Sequence, residues 1–200
     1  MSARNLGTFR TALQARLNDG DAGNYTATEL NGFINEAYGI IQRRAKCHLV
    51  SETFTISTGV AYATLVNIFE PLVVTYGTTI LTKTTAKELN LSDPAWIAAA
   101  TGTPTKWYRR GGKEIGFYVV PNANTTGKVF GFAVADDMSA DGQAPVGVPV
   151  GFEWSVLLDK AEAIARRARS THANNVSRAD ELEKEFLLAI ADLIDAEEPE

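Results

Sequence analysis

The chain has 200 residues, of which 45% are hydrophobic and 22% charged, a composition typical of a globular protein that buries a sizeable core. A formal net charge of −5 argues against a dedicated binder of duplex DNA, which usually presents a basic face, and the single cysteine, Cys47, excludes an internal disulfide bond. We expect neither a signal peptide nor a membrane span, because the first ten residues lack an apolar stretch and no apolar run approaches the roughly 20 residues of a spanning helix.

Helical periodicity opens the chain and predicts a first helix over Arg4–Asn18. Thr26 and Glu29 have the spacing of a capping box, in which each side chain satisfies a free backbone N–H, so we expect a second helix to begin there. The apolar stripes of these two helices comprise Leu6, Phe9, Leu13 and Leu17, and then Leu30, Phe33, Ile34, Ala37, Tyr38 and Ile41.

Beyond residue 50 the pattern changes to the two-residue alternation of a pleated strand. Phe54 and Ile56 alternate with polar residues, and Val60–Leu65 is predicted to return beside them as a partner strand. Leu72–Tyr76 and Thr79–Thr82 are predicted to form another strand pair.

The clearest strand pattern lies over residues 103–135 and predicts two β-hairpins in series. Lys106–Arg110 and Lys113–Val120 flank Gly111 and Gly112, and two glycines suit a tight hairpin turn because both can adopt positive φ. A second turn is expected to lead into a third strand over Lys128–Ala135.

Helical signals resume near the C-terminus. Met138–Gly151 is rich in Gly, Pro and Ala and is predicted to be a surface loop, after which one helix begins at Phe152. A last helix is predicted over Ser177–Ala196, and Leu187 widens its apolar stripe, which indicates contacts on two sides of that helix.

These elements predict an α+β fold that is mainly an α-helical bundle carrying an inserted antiparallel β-sheet or sandwich-like region. Residues 1–50 and 148–200 are expected to form the helical bundle domain. Residues 51–147 are expected to form the inserted β region with its loops.

The sequence shows little sign of catalysis, since it has no GxSxG, HExxH, Walker or CxxC motif. His48 directly follows Cys47, and neighbouring side chains of an extended segment point in opposite directions, which is a poor geometry for a nucleophile and its base. Asp159 and Glu162 are expected to form an exposed charged face with nearby cations rather than a metal site. We therefore predict no catalytic, metal-binding or cofactor-binding residue and no cofactor.

Aromatic residues are concentrated in the β region, and core packing is the favoured explanation for them. One alternative is a small carbohydrate- or peptide-binding module that uses this aromatic β insert, which would require an exposed Trp107–Tyr108 platform. A second alternative is an enzyme of unrecognised type, which a carboxylate or histidine buried in a cleft would favour.

Three stretches carry a resemblance to a known family. Thr26–Tyr38 reads T-x-T-E-L-x-x-x-I-N-E-A-Y, and Gly102–Pro121 contains G-x-P-x-x-W-Y, a glycine turn and I-x-F-x-x-x-P. An aromatic-bearing helix within Val148–Ser170 and a final helix follow. From Leu6 to Ile194 this order is similar to that of the tailed-bacteriophage head–tail adaptor, also called connector or head-completion, proteins.

The resemblance implies a structural virion protein without enzymatic activity. Such proteins assemble as a ring, commonly of twelve copies, between the portal protein and the next neck or tail protein, and they extend the channel through which genomic DNA passes without sequence-specific binding. It further implies a location in the virion neck or tail region, assembly in the host cytoplasm, no membrane association and often a monomer before assembly.

Candidate contact residues follow from the resemblance and from the charge distribution. By position, the candidates for portal contact are Leu193, Ile194, Asp195, Glu197 and Glu198. The basic candidates for subunit–subunit contact are Arg43, Arg44, Arg166, Arg167 and Arg169. The candidates for docking of the tail are Trp107, Tyr108, Arg109 and Arg110.

Overall fold

A computed structural model describes residues 4–17, 25–98, 101–149, 151–168 and 173–197. The chain divides into two compact units, each with its own hydrophobic core. The helical unit comprises the described parts of Met1–His48 and Ala135–Glu200, and the β unit is Leu49–Val134. Among the described residues, no helix combines the length and apolarity needed to cross a membrane.

Five helices lie within the described residues, four of them in the helical unit and α3 in the β unit. Their bounds are α1 Leu6–Arg16, α2 Ala27–Ala45, α3 Ala86–Ser92, α4 Leu158–Ala168 and α5 Ala173–Glu197. A π-helical turn, Glu153–Leu157, leads directly into α4.

Local capping explains where α2 begins and ends. The predicted capping box is confirmed: the backbone N–H of Thr26 donates to the Glu29 carboxylate at 2.7 Å, and the N–H of Glu29 donates to the Thr26 hydroxyl at 3.2 Å. Lys46 ends the helix in the left-handed conformation, with φ of 51°. Arg43 and Arg44 lie in the last turn, where cations interact favourably with the helix dipole.

The core of the helical unit is formed by the predicted apolar stripes. Phe9 of α1 packs on Trp154, with the ring centroids 5.0 Å apart, and Phe186 of α5 is fully buried. Burial of each such large side chain contributes roughly 1.5–3 kcal/mol, so these contacts hold the four helices together.

The β unit contains seven strands. Their bounds are β1 Leu49–Ile56, β2 Tyr62–Thr64, β3 Ile68–Tyr76, β4 Thr79–Thr84, β5 Lys106–Arg109, β6 Glu114–Tyr118 and β7 Thr125–Ala133. They form one sheet in the order β1-β7-β3-β4-β5-β6-β2. The two edge strands, β1 and β2, also approach each other, so the sheet nearly closes into a barrel around its core.

The prediction of a mainly α-helical bundle with an inserted antiparallel or sandwich-like sheet is therefore wrong. The fold is α+β, but its sheet is a seven-stranded, mixed near-barrel that makes the protein richer in strands than predicted. The mixed character arises at β4 and β5, which run parallel. Between them the chain passes through α3, and such a crossover is what a parallel connection requires.

Two predicted hairpins are confirmed and two predicted pairings are wrong. β3 and β4 form a hairpin at Gly77, whose φ of 58° suits glycine, and β5 and β6 form the hairpin at Gly111 and Gly112. The strand after Ser57 pairs with β6 rather than with β1, and β7 pairs with β1 and β3 rather than with β6. Closure of the sheet favours these distant partners over the neighbouring ones.

Candidate functional site

The buried charged groups of the helical unit form ion pairs within the chain. Lys160 and Glu162 of α4 are only 6% and 4% exposed, so the prediction of an exposed charged face at this position is wrong. The Lys160 ammonium lies 2.6 Å from Glu183 of α5, and the Glu162 carboxylate lies 2.7 Å from Arg166. The first pair joins α4 to α5, whereas the second lies within α4. Both carboxylates therefore already have a cationic partner.

No cluster of three metal-ligating side chains occurs in the part of the chain that the structure describes. The buried side-chain polar atoms there all have hydrogen-bond partners. Tyr38 and Tyr108 have raised pKa values, in both cases chiefly because burial disfavours the charged phenolate. The distinctive features of the described residues are therefore surfaces that can contact other molecules.

The basic candidates occupy two different environments. Arg43 and Arg44 are exposed at the end of α2, and the Arg44 guanidinium carbon lies 5.7 Å from the centre of the Phe186 ring. Arg166 is bound to Glu162, as described above, while Arg167 lies 3.0 Å from Asp180. The remaining candidate, Arg169, falls outside the described residues.

The candidates at the end of α5 are only partly described. Leu193 is fully buried in the helical core, and Ile194 packs against that core while partly exposed. Asp195 and Glu197 lie within α5, but their side chains are outside the described structure, and Glu198 lies beyond it altogether.

A second surface of α5 was not assigned a role by the sequence analysis. Leu187 and Leu188 are 45% and 71% exposed, and Glu181 and Glu185 are exposed on the same helix. We call these four residues the α5 ridge. In the sequence, Leu187 indicates this surface, because it extends the apolar stripe of α5 beyond the face that packs in the core.

The proposed aromatic platform is part of the β core. Trp107 is 1% exposed and Tyr108 is 7% exposed, so they do not form the open surface that a carbohydrate- or peptide-binding module would use. Of the four candidates for tail docking, Arg109 and Arg110 are the exposed ones, and they precede the tight turn of the β5–β6 hairpin.

An open groove of about 660 Å³ lies beside α1 and was also missed by the sequence analysis. Its floor is formed by small residues of one α1 face, Ala12 and Ala15, together with Thr8 and Thr11, and Trp154 forms part of its wall. Small side chains on one face of a helix leave a depression on its surface. The recurrence of small residues on α1 could therefore have predicted this groove from the sequence.

The loop after the β unit caps the start of α1. The backbone N–H of Gly7 donates to the carbonyl of Asp141 at 3.0 Å, and the Arg10 guanidinium forms two hydrogen bonds of 2.7 Å with the Asp141 carboxylate. The hydrogen bond and charge of Arg10 hold the pKa of Asp141 below its usual value.

We expect this contact to make stability depend on pH. Because the pKa of Asp141 is lowered on folding, its contribution is present above the unfolded value of about 4 and is lost as pH falls through the lower folded value. Asp141→Asn should lower the thermal midpoint slightly at pH 7, and the gap to the parent protein should close as the pH falls below the unfolded pKa of about 4. Asp137→Asn, at an exposed position of the same loop, is the control. A gap that stays constant with pH would contradict the expectation.

The same segment is fastened to α2 by a ladder of polar side chains. Asn35 exchanges two hydrogen bonds with the backbone of Met138, at 3.0 and 3.1 Å. Tyr38 exchanges two with the backbone of Val146, and the fully buried Gln42 donates to the same Val146 carbonyl at 2.9 Å. Part of the predicted surface loop is therefore an ordered segment held on α2. We call this segment, residues 135–146, the strap.

Comparison with known proteins identifies a family for this chain. A search of the curated proteins finds no significant match. The model of one protein family, described as the SU10 adaptor protein, matches residues 4–199, which span both units. The resemblance to phage adaptors noted in the sequence is thereby confirmed, and the chain belongs to the SU10 adaptor protein family, as a structural adaptor protein of a bacteriophage virion.

Proposed function

We propose that this protein is a head–tail adaptor that forms a ring between the portal and the tail and extends the DNA channel. The observation that carries the proposal is the family match over residues 4–199, because it covers the whole α+β architecture rather than one motif. Each subunit of a ring needs two different contact surfaces, since every contact in a ring is head-to-tail. The chain offers several, among them the groove beside α1 and the α5 ridge.

Within this proposal the end of α5 contacts the portal. The residues involved are Ile194, Asp195, Glu197 and Glu198, because Leu193 is buried in the helical core. The exposed hairpin arginines, Arg109 and Arg110, then face the next neck or tail protein. The net charge of −5 disfavours tight binding of phosphates, so genomic DNA passes the ring without being held.

Co-assembly with the portal tests the proposal. The purified chain is mixed with portal rings of the same phage, and sedimentation velocity and negative-stain microscopy report the products. We expect an added ring of density on one end of the portal, commonly of twelve copies. Portal rings of an unrelated phage are the control for non-specific adhesion. If the cognate portal stays bare over a wide range of salt and protein concentration, the proposed function is wrong.

A further inference from the structure

Charge is distributed unevenly along the chain. The β unit carries seven Lys and Arg residues against five Asp and Glu, whereas the rest of the chain carries 12 against 19. The net negative charge of the protein therefore comes from residues outside the β unit, which itself has a slight positive excess. Such an asymmetry favours contacts between copies in which unlike surfaces meet.

The positive charge of the β unit is concentrated beside edge strand β2. The Arg110 guanidinium stacks on the Tyr62 ring, with its carbon 4.1 Å from the ring centre, and the Lys113 ammonium donates to the Val66 carbonyl at 2.6 Å. Arg109 donates to two carbonyls of the hairpin turn. We call these five residues the basic edge.

Two properties of the basic edge suit it to an acidic, partly apolar surface. Tyr62 and Val66 are 42% and 66% exposed, so they offer apolar contact area between the cations. Within the described residues, no carboxylate lies within 4 Å of Arg109 or Lys113, while Arg110 has only a long contact of 3.9 Å to Glu114. The hydrogen bonds to backbone carbonyls fix Arg109 and Lys113 in place. The Glu52 carboxylate accepts from the Val66 N–H at 2.6 Å, so the three cations of the basic edge lie beside two carboxylates, Glu52 and Glu114.

The α5 ridge has the matching character. Its two exposed leucines lie on a helix that carries five Asp and Glu against two Lys and Arg over residues 176–194. Two of those carboxylates, Asp180 and Glu183, are paired with Arg167 and Lys160 of α4, which leaves Glu181, Glu185 and Asp192 on the outside. Glu181 and Glu185 are 58% and 54% exposed, and both are near Arg178, at 3.2 and 3.8 Å. Lys184 is a second exposed cation on this stretch, so Arg178 and Lys184 together leave the three outer carboxylates in excess by one.

We propose that the basic edge of one copy receives the α5 ridge of a second copy. Leu188 shares one helix face with Glu181 and Glu185, seven and three positions before it, and would pack against Tyr62 and Val66 while the two carboxylates face the hairpin cations. Two basic edges would repel each other, as would two α5 ridges, so the contact joins unlike surfaces and propagates head-to-tail. The inference rests on the proposed ring, and it assigns Arg109 and Arg110 to the contact between copies in place of the contact with the next neck or tail protein.

A charge exchange tests the contact. One variant reverses the basic edge, Arg109→Glu with Arg110→Glu, a second reverses the ridge, Glu181→Lys with Glu185→Lys, and a third combines all four changes. The copies bound per cognate portal are counted by sedimentation and negative-stain microscopy. We expect each single-surface variant to lose assembly by at least about tenfold in the concentration required, because like charges then meet, and the combined variant to recover it.

Two controls keep the result specific. Lys87→Glu with Lys128→Glu changes the charge of the β unit by the same amount at exposed positions away from the basic edge, and should assemble normally. Thermal unfolding midpoints of every variant should stay within a few degrees of the parent, because charge changes at exposed positions alter stability little. A photo-crosslinking amino acid in place of Leu188 should join two copies at a peptide containing residues 109–113.

The outcomes separate this inference from the proposed function. If the parent chain forms no ring on the portal, the proposed function is wrong, and this inference with it. If the parent forms a ring but the combined variant fails to recover assembly, or Leu188 crosslinks only to the portal, the second copy is not the occupant. Loss in the basic-edge variant alone, with the ridge variant unaffected, would assign the basic edge to DNA or to another protein and overturn the inference.

Discussion

Replacing Gly131 by alanine is expected to destabilise the protein by about 3 kcal/mol, toward the upper end of the cost of overpacking. Gly131 lies on β7, paired with Val50 of β1 on one side and with Pro71 of β3 on the other. A methyl group here would lie 2.9 Å from the Pro71 Cα and closer still to the backbone oxygen of Glu70. Backbone atoms of a paired strand cannot rotate away as a flexible side chain can, so one of the three strands must move.

The position of Gly131 in the sheet makes such a movement costly. β7 lies between β1 and β3, and the register of β3 already shifts on either side of the contact, between Ile68 and Glu70 and between Pro71 and Val73. These irregularities bring the β3 backbone against the glycine. Displacement of β3 would lose both ladder hydrogen bonds and the burial of Ile68, which is fully enclosed.

Thermal and urea unfolding measure the effect of Gly131→Ala. For a chain of this size, about 3 kcal/mol corresponds to a fall of roughly 6–12 °C in the midpoint. The matched control is Gly32→Ala: Gly32 is exposed on α2, and a methyl group there would meet nothing within 4 Å. That change should stabilise the protein by about 0.5–1 kcal/mol, because alanine is the better helix former. Equal midpoints for the two variants would contradict the close approach of β3 to β7.

The parts of the fold that the sequence predicts are those decided by local chemistry. The capping box at Thr26 and Glu29 and the β5–β6 hairpin at Gly111 and Gly112 depend on residues a few positions apart, although neither glycine adopts the positive φ expected of a two-residue turn. The pairing of β7 with β1 and β3 depends on residues up to some 80 positions away, and nothing in a two-residue alternation says which strand will be the partner. The parallel pair of β4 and β5 was missed for the same reason, because α3 looked like an isolated turn.

Candidate surfaces were harder to predict because exposure is a property of the folded chain. Trp107 and Tyr108 follow each other in sequence, and alternation would expose one of them; both are buried, since Tyr108 also packs edge-on against Trp96, with ring centres 5.1 Å apart. The arginines that follow them were identified on charge alone. Leu188 carried no periodic signal of its own, and its exposure became visible only when the buried face of α5 was known.

Replacing Gln42 by alanine is expected to destabilise the protein by about 2–4 kcal/mol, although the residue is polar. Gln42 is completely buried; its amide nitrogen donates to the Val146 carbonyl at 2.9 Å, and its amide oxygen accepts from the Ala135 N–H at 2.8 Å. The Val146 carbonyl keeps the Tyr38 hydroxyl as a second donor, but the Ala135 N–H loses its acceptor. An unsatisfied buried donor costs about 1–3 kcal/mol, and the cavity adds to that cost.

Further substitutions separate these hydrogen bonds from simple packing. Gln42→Met keeps most of the side-chain volume and should recover only the cavity term, whereas Gln42→Glu removes the donor, places a carboxylate against the Val146 carbonyl and should be the most damaging. Gln14→Ala, on the partly exposed face of α1, should change stability by less than about 0.5 kcal/mol. Urea midpoints rank the variants, and limited proteolysis reports whether the segment between Ala135 and Val146 has come loose from α2. If Gln42→Met matched the parent in both measurements, the strap would be held by packing rather than by the polar ladder.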